Sequence, residues 1–396
     1  MTAEPNALEL TPLETLPAAV ERAAGAATPA PVKLMTARGM APLPPAELAV
    51  ALYQLTFESD EALREAAYKS AAELPDPVLK GALSAALDVR VLDFYARRVT
   101  QRAALLEVVL LNKATHDETF RHLAKILGER DLEMIAKNEE RLLRSPAIIA
   151  ALYMNPKTRM STAQRAVELA VRNGVRVEGI PAFDEAAKAI AQSAGVSADA
   201  DDVAFREAAV IAVDESAQLL IVALDPAEQA KVDEEALVAA EAEAALEATA
   251  ETPLEAHSAE SEEKKKKLSE LSPSAKVRVA TLGNAFARSV LIREKNMTVA
   301  MACIRSPGVS PSEALKYAQD RSLDEDIIRF VSNHRQWTRL PGIRMALCNN
   351  PKTPMATTLR LLPTLPVRDL KNIARSKGIP SAIAKAAKQL VSARGA

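Results

Sequence analysis

Aromatic side chains are scarce in this 396-residue chain: seven Phe, five Tyr and one Trp, 3% of the total. Glycine is scarce too, at 12 residues. Strand-rich folds place β-branched and aromatic residues on their pleats and glycine in their hairpin turns. No stretch of this chain sustains a period-two alternation, so a sheet is excluded as the organising element. Only two cysteines occur, Cys303 and Cys348. That number excludes a disulfide framework and points to a reducing compartment, the cytoplasm; both thiols read as small core residues. No apolar run reaches 18 residues, which excludes a transmembrane helix. The opening Met-Thr-Ala-Glu-Pro has neither the basic nor the apolar region of a secretory signal.

Chemistry is thinly represented as well. Four histidines, His116, His122, His257 and His334, form no zinc-ligand spacing. The chain contains no glycine-rich phosphate loop, no G-x-S-x-G and no H-E-x-x-H. The sequence implies no cofactor and no metal, and the expectation is a protein that is not an enzyme.

What the chain does have is alanine and leucine, within a hydrophobic content of 48%. That mixture packs helices closely, so the predicted fold class is all-α. It also has a repeated tetrapeptide, Asn155-Pro156-Lys157-Thr158 and Asn350-Pro351-Lys352-Thr353, 195 residues apart. Between Arg144 and Ala163, 11 of 20 residues recur at that offset without a gap, among them Arg144/Arg339, Pro146/Pro341, Ile148/Ile343 and Met160/Met355. Ungapped identity of this density predicts an internal duplication. Asn155 and Asn350 precede proline, which disfavours the α region and stops a helix. Thr158 and Thr353 then suit N-caps of the next helix, with Pro354 at its first position. Apolar residues at i, i+3 and i+4 flank each tetrapeptide (Ile343, Ala346, Leu347 and Ile148, Ala151, Leu152). The unit reads as helix, hook, helix. An anion-binding loop is the functional alternative for the tetrapeptide.

A second hook precedes each. Thr115 with Glu118, and Ser310 with Glu313 at the same 195 offset, carry the capping-box pattern. The hooks stand 43 residues apart in each copy, within the ~40–47-residue period of helical-pair repeats. At this point the chain resembles a HEAT-like α-solenoid. The hook Asn-Pro-Lys-Thr-Pro-Met (350–355) also looks like the turn of leucine-rich-repeat-variant proteins. The segments Asn-His-Arg-Gln-Trp-Thr (333–338) and Ala-Arg-Ser-Lys-Gly-Ile-Pro (374–380) are similar to modules of uncharacterised bacterial proteins. The resemblance covers about residues 40–190 and 268–394. It implies an architecture of stacked helix pairs and carries no catalytic residue, and the usual interhelix Asp and Arg pattern of HEAT repeats is missing.

Composition divides the chain into a disordered tail (1–34), an N-terminal helical module (35–198), an acidic Ala/Glu-rich linker (199–267) and a basic C-terminal module (268–396). Residues 199–263 hold 19 Asp or Glu and two basic residues. An apolar patch, Leu219 to Leu224, lies within them. Residues 264–396 hold 25 Lys or Arg and eight acids, whereas 35–198 balance at 21 of each. The expected function is a cytoplasmic scaffold or adaptor that binds a protein partner through helical-repeat surfaces. The alternative is binding of a polyanion such as nucleic acid by residues 264–396, with 199–263 as an intramolecular competitor. Lys352, Arg368, Lys371 and Arg375 are the candidate binding residues; the last three share a helix face at i, i+3 and i+7.

Overall fold

The structure, a computed structural model, describes residues 8, 10–193, 197–212, 259–376 and 378–394. Among these residues it is all helical: 24 α-helices and two 3-10 turns, with no strand. The helices are short, from six residues (Glu139–Arg144) to 15 (Ala198–Ala212). Proline and asparagine stand at many of their ends, while alanine and leucine fill their inner faces.

The chain divides into two compact units, residues 1–158 with 169–179, and residues 159–168 with 180–396. Within each, a helix commonly packs on a helix one to three further along the chain. In the first unit Pro45–Leu55 packs on Asp76–Leu83, which packs on Ala103–Leu111, and Asp117–Ile126 packs on Pro146–Met154. In the second unit Pro273–Leu282 packs on Met297–Arg305, Met297–Arg305 on Glu325–Asn333, and Pro311–Gln319 on Pro341–Asn349.

The hooks obey one hydrogen-bond rule. Asn155 ends helix Pro146–Met154 with extended backbone (φ −84°, ψ 115°). Its Nδ2 donates to the carbonyls of Ala124 (2.9 Å), Lys125 and Leu127 (3.2 Å each), at the C-terminal end of helix Asp117–Ile126. Its Oδ1 accepts from the Lys157 N–H at 2.9 Å, closing a local turn. Asn350 repeats this with Ala318 (2.9 Å), Asp320 (3.2 Å) and the Lys352 N–H (3.0 Å). Asn112 repeats it with Leu83 (2.7 Å), Ala85 (2.9 Å) and the Ala114 N–H (2.9 Å). Since Lys113, not proline, follows Asn112, the asparagine amide is sufficient to set the turn and proline reinforces it.

This rule corrects three expectations. Two of the three hook threonines cap backward: Thr353 Oγ1 donates to the Leu347 carbonyl at 2.6 Å, and Thr115 Oγ1 to Val109 at 2.8 Å. The N-cap of the following helix is Pro354 in one case and His116 in the other, where Nδ1 accepts from the Glu118 N–H at 3.2 Å. Pro354 therefore sits one position before the first helical residue, and Thr115 with Glu118 forms no capping box. Ser310 with Glu313 does form one. The reason is geometric: the asparagine turn carries Thr353 and Thr115 under the helix each leaves, within reach of a carbonyl six residues upstream. Thr158, at the same place in its own hook, is buried with no hydrogen-bond partner for its Oγ1 among the described residues, so it caps neither helix.

Replacing Asn350, which is buried, by alanine strands the Ala318 and Asp320 carbonyls and the Lys352 N–H together. At ~1–3 kcal/mol for a buried group left without a partner, the expected loss is about 3 kcal/mol, read as a lower denaturant midpoint. Asn350→Asp is expected to fare no better, because a carboxylate would face two carbonyls.

The domain boundaries also differ from expectation. Residues 11–34, expected as tail, are ordered. Helices Ala18–Ala24 and Ala30–Ala37 start after Pro17 and Pro29 and bury Val20, Ala23 and Ala24. Tyr53 Oη donates to the Thr11 carbonyl at 2.7 Å, and the Leu13 N–H donates to Gln54 Oε1 at 2.9 Å. Alanine and proline here build short helices with a small apolar stripe, a signal composition alone conceals. Residues 180–193, expected to close the first module, belong to the second unit, where Arg305 donates to Glu185 at 3.0 Å. Ala198–Ala212, the start of the expected linker, is a helix of that same unit. It buries Phe205, Ala208 and Ala212, and the Arg278 guanidinium lies 4.3 Å from the Phe205 ring. Asp201, also buried, accepts from Ser272 Oγ at 2.6 Å and from Gln164 Nε2 at 3.1 Å. The rest of the acidic stretch, 213–258, and the apolar patch within it lie outside the described residues. Cys303 and Cys348 are fully buried, as expected. Burial pushes both thiols up, Cys348 to about 12.

Candidate functional site

The only Asp or Glu from residue 331 onward is Asp369, against 12 Lys or Arg. No described cation between Arg335 and Arg394 lies within ion-pair distance of a carboxylate, whereas most of the basic residues between Lys265 and Arg329 are so paired. Short amphipathic helices hold several of these cations outward. Val367–Arg375 turns Leu370 and Ile373 inward and Arg368, Lys371 and Arg375 out to solvent. Ser381–Arg394 packs against it, burying Ile383 and Ala387 and exposing Lys385 and Lys388. The Arg394 guanidinium pins the pair by donating to the carbonyls of Leu365, at 2.9 Å, and Pro363.

Three of the four candidate residues, Arg368, Lys371 and Arg375, thus share one exposed face as their spacing predicted. Lys352 is separate in role: its Nζ donates to the carbonyls of Ser322, at 3.1 Å, and Leu323. It clamps the preceding loop, so the lysine of the second tetrapeptide is structural. Lys157, its counterpart in the first, is exposed.

Positions 195 residues apart differ in charge. In the first unit Arg144 makes a two-pronged contact with Asp117, at 2.7 and 2.6 Å. Arg141 joins it at 2.7 Å, with its guanidinium 3.9 Å from the Phe120 ring. At the 195 offset stand Arg339, Ser312 and Gln336. An arginine stands at both positions, serine stands where the first unit has the carboxylate, and Arg339 is exposed. Glu139 and Glu140 correspond to His334 and Arg335, and Ile149 to Arg344. The difference in charge between the two stretches is plain in the sequence, while the ion-pair partner that Arg144 has and Arg339 lacks is given by the Asp117 contacts.

The paired charges of the first unit respond to acid. The Arg144 hydrogen bond, helped by the Arg141 and Arg144 charges and opposed by burial, holds the Asp117 carboxyl below its ordinary value. Burial, then the Arg97 charge, holds His122 below its own. Both shifts have one sign: the unfolded chain takes up protons first. Stability from Asp117 is present above its unfolded pKa of ~3.9 and is lost as the pH falls through its lower folded value. Stability from His122 is lost from ~6.5 downward, until its folded form protonates too. The expected outcome is a urea midpoint that falls in two acid steps. His122→Gln removes the step nearer neutrality, and Asp117→Asn shrinks the lower one, which Asp88 and Asp320, also held below the ordinary carboxylate value, share.

Acid–base chemistry finds less material. A cavity of about 300 Å³ is lined by Phe286, Ser289, Arg293, Glu313, Lys316 and Tyr317. Its carboxylate is locked: Glu313 is held by Arg288 at 2.8 Å, and burial with the Glu313 charge pushes the Tyr317 phenol up. No group of three or more His, Cys, Asp or Glu among the described residues could hold a metal ion. No described helix is long and apolar enough to cross a membrane. Comparison with known proteins finds no matching family model, no matching curated protein and no matching solved structure.

Proposed function

We propose that this protein is a non-enzymatic binding protein whose C-terminal residues 331–394 hold a polyanion, nucleic acid being the one that the charge pattern fits. The observation that carries the reading is the set of exposed cations without carboxylate partners, fixed on helices by buried apolar faces. Uncompensated positive charge on a rigid surface attracts a phosphate backbone and gains entropy as counterions leave it. The chain is read as HEAT-like stacked helix pairs, duplicated at a 195-residue offset, in a cytoplasmic protein. The recurring asparagine hook, its 43-residue spacing and the packing of helices on near neighbours in the chain support that reading. The acidic residues 213–258 are proposed as a tethered competitor for the basic surface.

A second reading, a protein partner, is favoured by Met355 and Leu359. They stand four residues apart on helix Met355–Leu361 and are 49% and 42% exposed.

The test uses the full chain and a labelled 30-base-pair duplex, followed by anisotropy. With about six phosphate contacts, affinity is expected to fall roughly 1,000-fold between 50 and 200 mM salt. Deleting 213–258 is expected to raise it. Absence of binding at low salt, or binding indifferent to salt, would overturn the polyanion reading and leave the protein-partner one.

A further inference from the structure

We infer that the ligand of this basic surface is double-stranded nucleic acid, gripped by its phosphates, and not a single strand. The inference rests on the polyanion reading and adds the class of ligand. Binding of a single strand draws much of its energy from bases stacked on aromatic side chains, with the charged groove supplying the rest. The basic surface has no such platform. After Trp337 the sequence contains no Phe, Tyr or Trp at all. Trp337 is 7% exposed and its ring is already stacked on His334, with centroids 3.9 Å apart. Phe330 packs edge-on against the same indole. Nothing aromatic stands beside Arg360, Arg368, Lys371, Arg375, Lys385 and Lys388 in the chain to receive a base.

What the surface does offer is fixed positive charge. Arg368 and Arg375 are separated by about 10 Å along one helix axis, and the helix is held by Leu370 and Ile373, both fully buried. A duplex carries one negative charge per ~1.7 Å of axis, twice the density of either strand alone, and releases more counterions per contact. It is also stiff over ~50 nm, so it docks on a rigid array with little ordering cost. A single strand must be ordered on the surface without stacking to offset that cost. Charge without aromatics therefore selects the duplex. The same chemistry is presented by DNA and RNA duplexes, and the experiment separates them.

The full chain would be titrated with a DNA duplex, an RNA duplex and each component strand of matched length, at about 100 mM salt for the comparison of affinities and across about 50–200 mM for the slopes. The expected result is affinity for at least one duplex that exceeds its strands about tenfold or more, with a steeper salt dependence. The neutralised variant Arg368→Gln, Lys371→Gln, Arg375→Gln is expected to reduce the slope of log K against log salt for the duplex by about 3. Equal or tighter binding of single strands overturns the inference and leaves the polyanion reading standing. Binding of neither form overturns both.

Discussion

Reversal of Arg368, Lys371 and Arg375 to glutamate is expected to lower the affinity of the full chain for duplex nucleic acid by about 100-fold or more, with the unfolding midpoint unchanged. The three side chains are exposed on one face of Val367–Arg375 and make no hydrogen bond or ion pair among the described residues. Substitutions at such positions stay within about 0.5 kcal/mol in stability, so the fold should not register the change. Binding should, because three attractive contacts become three repulsive ones on an element that cannot turn away from the ligand. Net charge alone would also fall by six, and a control separates the two effects. Lys80→Glu, Lys113→Glu, Lys157→Glu makes the same change on exposed residues of the first unit. That variant should bind within a few-fold of the parent. An equal loss in both variants would mean that overall charge and not this face governs association.

Glu313→Ala is expected to destabilise the second unit by about 3–5 kcal/mol, the range for removing one partner of a buried ion pair. Arg288 and Glu313 are buried against each other, the guanidinium donating at 3.2 and 2.8 Å to the two carboxylate oxygens. The remaining donors of Arg288 reach the carbonyls of Gly283 and, at 2.8 Å, Gly308. Glu313 also closes the capping box, accepting from the Ser310 N–H at 3.0 Å. Alanine would leave a buried cation with only backbone dipoles and open the start of helix Pro311–Gln319. The double variant Arg288→Met, Glu313→Leu removes both charges and should recover most of the loss, because desolvating two ions offsets much of what their attraction contributes. Trp337, the single tryptophan, lies in the second unit and reports its unfolding by fluorescence. A loss from Glu313→Ala below about 1 kcal/mol would show that water reaches the pair.

The sequence by itself determined the all-helical class, the places where helices stop and the face on which Arg368, Lys371 and Arg375 stand. Each of these is a local property: a 3.6-residue period, an asparagine able to leave the α region, and charge at fixed spacing along one helix. The burial of Cys303 and Cys348 was legible for the same reason, since both sit on apolar stripes. Contacts between side chains distant in the chain were not legible. Tertiary structure decided that Asn155 and Asn350 serve the helix end some 30 residues behind them, and that Thr353 is drawn back as well. It decided that Lys352 is a clamp while Lys157 is exposed, because the second hook brings carbonyls within reach of the ammonium. It decided that residues 11–34 and 198–212 are ordered, since a stripe of alanines reads as tail or linker until a neighbouring helix covers it. It also decided which arginines are neutralised. Arg144 and Arg339 occupy matched positions in the sequence, and only the contact of Arg144 with Asp117 tells them apart. A carboxylate lowers the field of an arginine when it stands a few ångströms away, and that distance is set by packing, not by spacing along the chain.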